Sequence, residues 1–468
     1  MKRYLYILLI FICQLSVAQD VQRLAERGVM GTARYVGMGG AMTAIGADPS
    51  AVMDNPAGLG LYRRNEITAT VDFTSDYTRQ VGSIDSYQRN RFTTPNITGV
   101  MAWGNHNKQK GFVFNNFMFS YNRIANFNRD IVVKGKDLGM VSTICNITND
   151  KGGLAEESLM NLPWDNIDIA WLSILGYETY LIDPAGNNQW TPAVDFIDGS
   201  VSVSESGSYD QYTLSWACNV SNQWYIGLGL NVPYLSYTKH VSILETNRIN
   251  SAELKSMYHL SGVGVSGAIG LVYRPIQSLR IGASFQTPTI INLSAQTEGD
   301  MYSTINGEKY ELLTPSSGVI ATELAAPLRT SVSIASQITN KGLIALQYDY
   351  AHSVYMEDVH TLRVGAELQA YSGLFINAGY VYESSFLKEE TPWMLEYNEM
   401  RTDMDYRYTA NTQYASLGLG YRGDMVVAQF AYQYAWQLLH QYASEVQRIP
   451  IDVNTHTHRI VATLAWRF

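Results

Sequence analysis

The sequence predicts an all-β fold, a transmembrane antiparallel β-barrel of about fourteen strands whose N-terminal stretch folds inside the lumen as a hatch. Three observations predict it. The chain closes on an alternating run, 454–468, in which Ile460, Ala462, Leu464, Trp466 and Phe468 share one face and Thr457, Arg459, Thr463 and Arg467 the other. Side chains alternate across a strand, and in a membrane barrel lipid covers one face while the lumen takes the other. The same period recurs upstream, separated by connections that alternate between short and long. Short turns fall at 104–110, 221–223, 275–278, 339–342, 371–373 and 422–424; long loops fall at about 74–95, 123–208, 245–257, 295–326, 384–411 and 438–453. Outer-membrane barrels have short periplasmic turns and long extracellular loops, an asymmetry that a soluble sandwich does not need. Finally, hydrophobic residues make up 46% of the chain, yet beyond the N-terminal stretch no run of about eighteen apolar residues offers a transmembrane helix. The 32 tyrosines suit aromatic girdles at two lipid–water boundaries.

Taken in order, residues 1–18 read as a secretory leader. Lys2 and Arg3 are its charged start, 4–13 its apolar middle, and Ser16-Val17-Ala18 a small-residue cleavage site. Cys13 lies inside the apolar stretch, which is the wrong place for a lipoprotein cleavage box. Residues 19–62 form the plug and 63–468 the barrel. The first strand is expected at 66–73, with Ile67, Ala69, Val71 and Phe73 outward, the second at 96–103 and the third at 111–121. The fourth turns Tyr212, Leu214, Trp216 and Cys218 to lipid, the fifth Ile226, Leu228, Leu230 and Val232, and the sixth Val265, Ile269, Leu271 and Tyr273. Later strands begin near 280, 328, 343, 359, 374, 412 and 425. The strand from 425 is the clearest, with Val426, Ala428, Phe430, Tyr432, Tyr434 and Trp436 on one face.

Inward ladders of Arg329, Ser331, Ser333 and Gln337, and of Thr361, Arg363, Glu367 and Gln369, fill or wet the lumen. Arg363 and Glu367 read as a structural charge pair. Cys145 falls in a long loop and Cys218 on a lipid face, too far apart in the expected fold for a disulfide.

The segment ahead of the first strand is neither strand nor leader. Asp48-Pro49 is a helix start, with Asp as N-cap and Pro at the first helical position. About one turn follows, and Asn55-Pro56 ends it, because proline disfavours helix in the residue before it. Glycines at 28, 31, 37, 39, 40 and 46 permit close packing, and Val36, Met38, Met42, Ile45, Val52, Met53 and Leu59 argue against a disordered arm. The series Gly37-Met38-Gly39-Gly40-Ala41, Asp48-Pro49-Ser50-Ala51-Val52 and Asn55-Pro56-Ala57-Gly58-Leu59 resembles the N-terminal hatch of the FadL-type outer-membrane transporters of hydrophobic compounds. The architectural match covers the whole chain; the motif match is confined to residues 28–61 and the terminal Phe468. The resemblance implies fourteen strands, a hatch motif at Asn55, Pro56 and Ala57, and uptake of long-chain fatty acids or other apolar molecules. Relatives also include barrels designated haemin receptors, and docking or shuttle barrels of a protein-secretion system.

Two further features fit such a role. Trp164, Ile167, Trp171, Ile174 and Leu175 recur at helical spacing in 165–183, an expected amphipathic helix that would capture an apolar solute outside the cell or pack on the barrel rim. In the third strand Phe112 and Phe114 are in even phase while Phe117, Phe119 and Tyr121 are in odd phase. The flip marks a β-bulge at Asn115-Asn116. The resemblance gives that strand an inward kink and a side window, through which the solute would leave laterally. The expected partners are outer-membrane lipid, a hydrophobic small molecule, and the barrel-assembly machinery, which would read Phe468.

Other functions fit less well. The 33 basic and 42 acidic residues, net −9, disfavour a nucleic-acid partner. Gly37–Gly40 lacks the strand–helix unit of a phosphate loop. His456 and His458 share a face but have no evident third metal ligand. Asp349, His352 and Ser353 are too close along one strand end to form a triad. No enzyme, metal or cofactor is expected, although haem ligation stays open because Tyr and His are plentiful.

Overall fold

The computed structural model describes residues 23–104, 110–315, 318–339, 341–353, 357–386 and 400–468, so the leader expected at 1–18 lies outside the described residues. Fourteen antiparallel strands follow one another in chain order and close on themselves. They are β1 (Glu66–Gln80), β2 (Tyr87–Gly104), β3 (Phe112–Asn126 continued by Arg129–Lys136), β4 (Asp198–Val220), β5 (Trp224–Thr246), β6 (Ser251–Ile276) and β7 (Leu279–Gln286 with Thr289–Ile305). Then come β8 (Glu308–Leu313, Gly318–Ala326 and Leu328–Thr339), β9 (Gly342–His352), β10 (Val359–Tyr371), β11 (Leu374–Glu383), β12 (Tyr406–Thr409 and Thr412–Arg422), β13 (Val426–Tyr442) and β14 (Ile451–Arg467). β14 returns to β1 in unbroken register from Glu66↔Arg467 to Gln80↔Val453. Closure removes the sheet edges, which is what lets strands stand in hydrocarbon with their backbone groups paired.

The alternation read from the sequence is the alternation of the wall. Ile67, Val71 and Phe73, Leu228 and Leu230, Phe430 and Tyr432, and Ile460, Leu464 and Trp466 are exposed on the outside. Thr68, Thr70, Thr213, Ser215, Asn231, Gln433 and Thr463 are buried on the inside. Cys218 departs from expectation and is 3% exposed; both it and the buried Cys145 are free thiols. Burial pushes the Cys145 thiol up to about 12.

About nine to eleven tilted residues cross a bilayer. Here β4 and β5 have 23 residues each and β6 has 26, so the wall stands well clear of the membrane on the loop side. Much of what reads as long loop is therefore strand: 74–95 is the top of β1 and β2, 245–257 holds a short connection at 247–250, and 295–326 is the top of β7 and β8. The reason is a reversal of polarity. Above the membrane the apolar side chains of the same strands turn inward. Val201 and Val203 on β4, Ile243 on β5, Leu254 on β6 and Met301 on β7 join one buried core. The lipid-side pattern ends there and its inverse begins.

That core is completed by the long connection between β3 and β4. It carries α-helices Met140–Asn149, Glu156–Leu159 and Trp171–Glu178 and a hairpin of Ile182–Gly186 with Gln189–Pro192. Together they cap the loop side.

Candidate functional site

The N-terminal segment holds a short helix Ala33–Gly37, a second helix Pro49–Asp54 and a 3₁₀ turn Pro56–Leu61, almost all of it buried. Asp48 caps the second helix as expected, accepting from Ser50 N at 3.0 Å and from Thr32 Oγ1 at 2.8 Å. Asn55 ends that helix and starts the next turn, its Oδ1 accepting from Ala57 N at 3.0 Å. Its Nδ2 donates to Thr43 O at 2.9 Å and, across to the wall, to Leu271 O on β6 at 3.2 Å.

The wall is shaped to receive this segment. A Cβ added at Gly270 of β6 would lie 1.9 Å from Asn55 Oδ1, and one at Gly379 of β11 would lie 2.1 Å from Gly39 N. Gly227, Gly282 and Gly365 approach Pro56, Thr43 and Met38 in the same way. Glycine is the residue that lets two backbones come this close.

Charges fasten the fit. Arg34 and Arg422 both meet Glu367 at 2.7 Å. Arg363 meets Asp349 at 2.7 Å and donates to Tyr35 Oη at 2.8 Å, while the Tyr35 hydroxyl donates to Asp54 at 2.6 Å. The expected Arg363–Glu367 pair is thus replaced by two separate clusters, each reaching across to the N-terminal segment. A one-strand reading misses this, because both side chains point to the lumen and find partners brought there from residues 34–54.

The third strand departs from expectation in position. The phase flip lies at Val113, where the β3–β4 register slips between Phe112 and Phe114; the β2–β3 ladder passes Asn115 and Asn116 without a break. Phe114 is buried beneath the Arg63 guanidinium, 4.5 Å from its ring, while Phe112, which shares its even phase, is exposed. Asn116 clasps the end of the N-terminal segment, donating to Leu59 O at 2.7 Å and Tyr62 O at 3.0 Å.

A larger discontinuity lies higher. The β2–β3 ladder runs from Gly104↔Phe114 to Asn96↔Asn122 and no further. Above it β2 stays with β1 as far as Tyr87, and β3 stays with β4 as far as Lys136. Side chains bridge the parting. Arg89 donates to Asp130 at 2.9 Å, Arg91 donates to Asn128 O at 2.6 Å, and the Gln80 amide bonds both backbone groups of Lys134 at 2.7 and 2.8 Å.

Behind the parting is a chamber of about 110 Å³ lined by Glu26, Arg27, Asp76, Arg91, Arg129, Glu383 and Arg459 among others. Arg91 is ion-paired with Asp76, but its Nε, together with Arg27 Nε and Arg129 Nη1, is buried there without a hydrogen-bond partner among the described residues. Buried donors left unmade are costly, so this cluster is poised for an acceptor. The sequence alone hides it, because 74–95 and 123–208 read as loops. The available signal was three arginines at 89, 91 and 129 in stretches of strand-forming composition.

Over the loop-side mouth, residues 400–405 cross from β12 to β5–β7. Lys239 pairs with Asp403 at 2.5 Å and Asp405 at 2.9 Å, and Thr402 donates to Glu298 O at 2.6 Å. Burial opposes ionisation of Asp403, but Arg401 and Lys239 outweigh it and hold the carboxyl far below the usual range.

The expected capture residues do not form one outward face. The helix spans Trp171–Glu178 rather than 165–183, and Trp171, Ile174 and Leu175 are at most 5% exposed within the cap core. Trp164 packs edge-on to Trp171, and Ile167 alone of the five stands out, at 78% exposed. Helical spacing does not say which side of a helix has water, and here the core took both.

Fold and interior together define a closed fourteen-stranded membrane barrel plugged by its own leading segment. Among solved structures it is similar to a Pseudomonas aeruginosa FadL homologue (TM-score 0.55, 11% identity) and to the P. putida toluene transporter TodX (TM-score 0.55, 11% identity), each match covering 94% of this chain and 99% of the other. The Ralstonia pickettii toluene transporter TbuX matches with TM-score 0.52 and 14% identity over 94% of this chain and 99% of that one. No protein-family model and no curated protein sequence matches.

Proposed function

We propose that the protein resides in the outer membrane and takes up hydrophobic compounds that carry an acidic head group, with long-chain fatty acids as the type case. The observation that carries this reading is the chamber behind the β2–β3 parting, with three arginines offering unused donors. The solved relatives in fold include toluene transporters, and toluene has no charge to satisfy such donors. A carboxylate accepts charge-assisted bonds, which are shorter and stronger than neutral ones. Each methylene of the tail that leaves water contributes about 0.8 kcal/mol.

In this reading the solute meets exposed apolar side chains at the loop side, Ile167 among them, and passes residues 400–405. It lodges with its head at the arginines and leaves sideways where β2 and β3 are joined by side chains alone. Passage requires the hatch, residues 19–62, to shift, with Asn55, Pro56 and Ala57 as its anchor on β5 and β6. Phe468, 55% exposed at the turn-side end of the wall, is the residue the assembly machinery would read.

The test is retention of labelled palmitate by purified protein. Arg91→Gln with Arg129→Gln should weaken retention at least tenfold and leave toluene binding unchanged. Equal palmitate retention by the double variant would overturn the assignment. A second reading, a docking barrel for protein secretion, draws on the wall that stands beyond the membrane and its well-packed cap. A stable complex with a secreted protein, without solute retention, would favour it.

A further inference from the structure

On the outer face where β13, β14 and β1 meet, Tyr432 bonds His458 Nδ1 at 2.7 Å and Tyr434 bonds His456 Nδ1 at 2.8 Å. Tyr77 of β1 packs edge-on to His458, with ring centroids 5.7 Å apart. The patch begins one outward position above Phe73, Phe430 and Ile460, which are exposed apolar residues of the lipid-facing band. That is the level of lipid head groups on the loop side.

The construction is specific. In each pair the tyrosine reaches diagonally toward the loop side and occupies Nδ1, so Nε2 is the ring atom left to a ligand. It is a donor whenever the hydroxyl donates to Nδ1 or the ring is protonated. Arg79 stands next along the outward face of β1. It is paired in register with Asn454, is exposed, and is electrostatically coupled to His456. The nearby acid, Asp452, lies farther toward the loop side, opposite His440 and bonded to its Nδ1 at 2.7 Å. One guanidinium and two imidazoles therefore face outward at a single spot.

We propose that this patch binds the phosphate of an outer-leaflet lipid head group, with Arg79, His456 and His458 as its ligands. An anion of tetrahedral shape can accept from all three, and an arginine fork suits phosphate in particular. The molecule carries its own control. Tyr348 bonds His360 Nδ1 at 2.6 Å with the same diagonal geometry on β9 and β10. Beside that pair stands the carboxylate Asp358, bonded by Tyr350 and His352, and among the described residues no arginine is paired with the cluster. The second site has the aromatic frame without the positive charge.

The experiment titrates the full-length protein in detergent with diphosphoryl lipid A, with the same lipid dephosphorylated, and with inorganic phosphate, read by native mass spectrometry. The phosphorylated lipid should bind at least tenfold more tightly than the dephosphorylated one. Combining R79Q, H456Q and H458Q should abolish that preference, and H360Q should keep it. R79Q alone, which leaves both tyrosine–histidine pairs intact, should lose at least threefold. Equal binding of the two lipids, or an unchanged preference in the variants at 79, 456 and 458, would overturn the proposal. So would competition by inorganic phosphate at the same concentration as lipid, because the lipid would then not be what is recognised.

Discussion

The two halves of the same strands obey opposite rules. In the turn-side half of β5, Ile226, Leu228 and Leu230 face out and Asn231 faces in; in the loop-side half, Val241 and Ile243 are the buried residues and Lys255 of the neighbouring strand is half exposed. Nothing in the backbone changes between them, since β5 pairs with β4 from Val220↔Trp224 to Asp198↔Thr246 without a slip. What changes is the solvent. Where hydrocarbon surrounds the wall, polar side chains gather inside and are satisfied by one another and by the N-terminal segment. Where water surrounds it, the interior becomes an ordinary apolar core closed by the cap.

The comparison can be broken at its most charged point first. Glu367→Ala leaves the buried Arg34 and the half-buried Arg422 without their shared carboxylate, and removing one partner of a buried pair costs about 3–5 kcal/mol. Thermal unfolding in detergent should show that loss, together with protease cleavage in residues 28–61. Next, the halves can be set against each other. Leu254→Ala, in the water-surrounded half, should cost about 2–5 kcal/mol as a core truncation. Leu228→Ala, on the lipid face, should change stability in detergent little by comparison, but Leu228→Lys should cost about 2–4 kcal/mol when folding into a bilayer is measured. Equal costs for the two leucine-to-alanine changes would contradict the reversal of polarity.

These contrasts also explain how far the sequence could be read. The strand number, the turns, the helix cap at Asp48 and the outward set on the last strand follow from period and local chemistry, which a single chain displays. Strand length does not, because the apolar phase inverts at the membrane boundary and the outward pattern stops at about 74 and 123. The N-terminal partners of Arg363 and Glu367, Tyr35 and Arg34, are equally invisible, since each lies more than 300 positions away. The glycines of β5, β6 and β11 were in plain view, but only the docked segment reveals what their missing Cβ atoms make room for.

Smaller effects sharpen the same picture. Asn55→Ala removes the cap of the 3₁₀ turn and the bond to β6, and should cost about 1–2 kcal/mol in thermal unfolding. Ile167→Ser, at the exposed rim, should stay within about 0.5 kcal/mol in the same measurement while lowering capture of a labelled fatty acid.

The central claim is that the chain's own leading segment occupies the lumen against β5. A Cβ at Gly229 would lie 3.8 Å from Pro56 Cβ, a separation that suits a disulfide. The decisive measurement is mild oxidation of the Pro56→Cys, Gly229→Cys variant in native membranes, followed by peptide mass spectrometry. A cross-link between positions 56 and 229 is the predicted result. Two free thiols at those positions in a correctly assembled barrel would mean that the segment does not sit against β5.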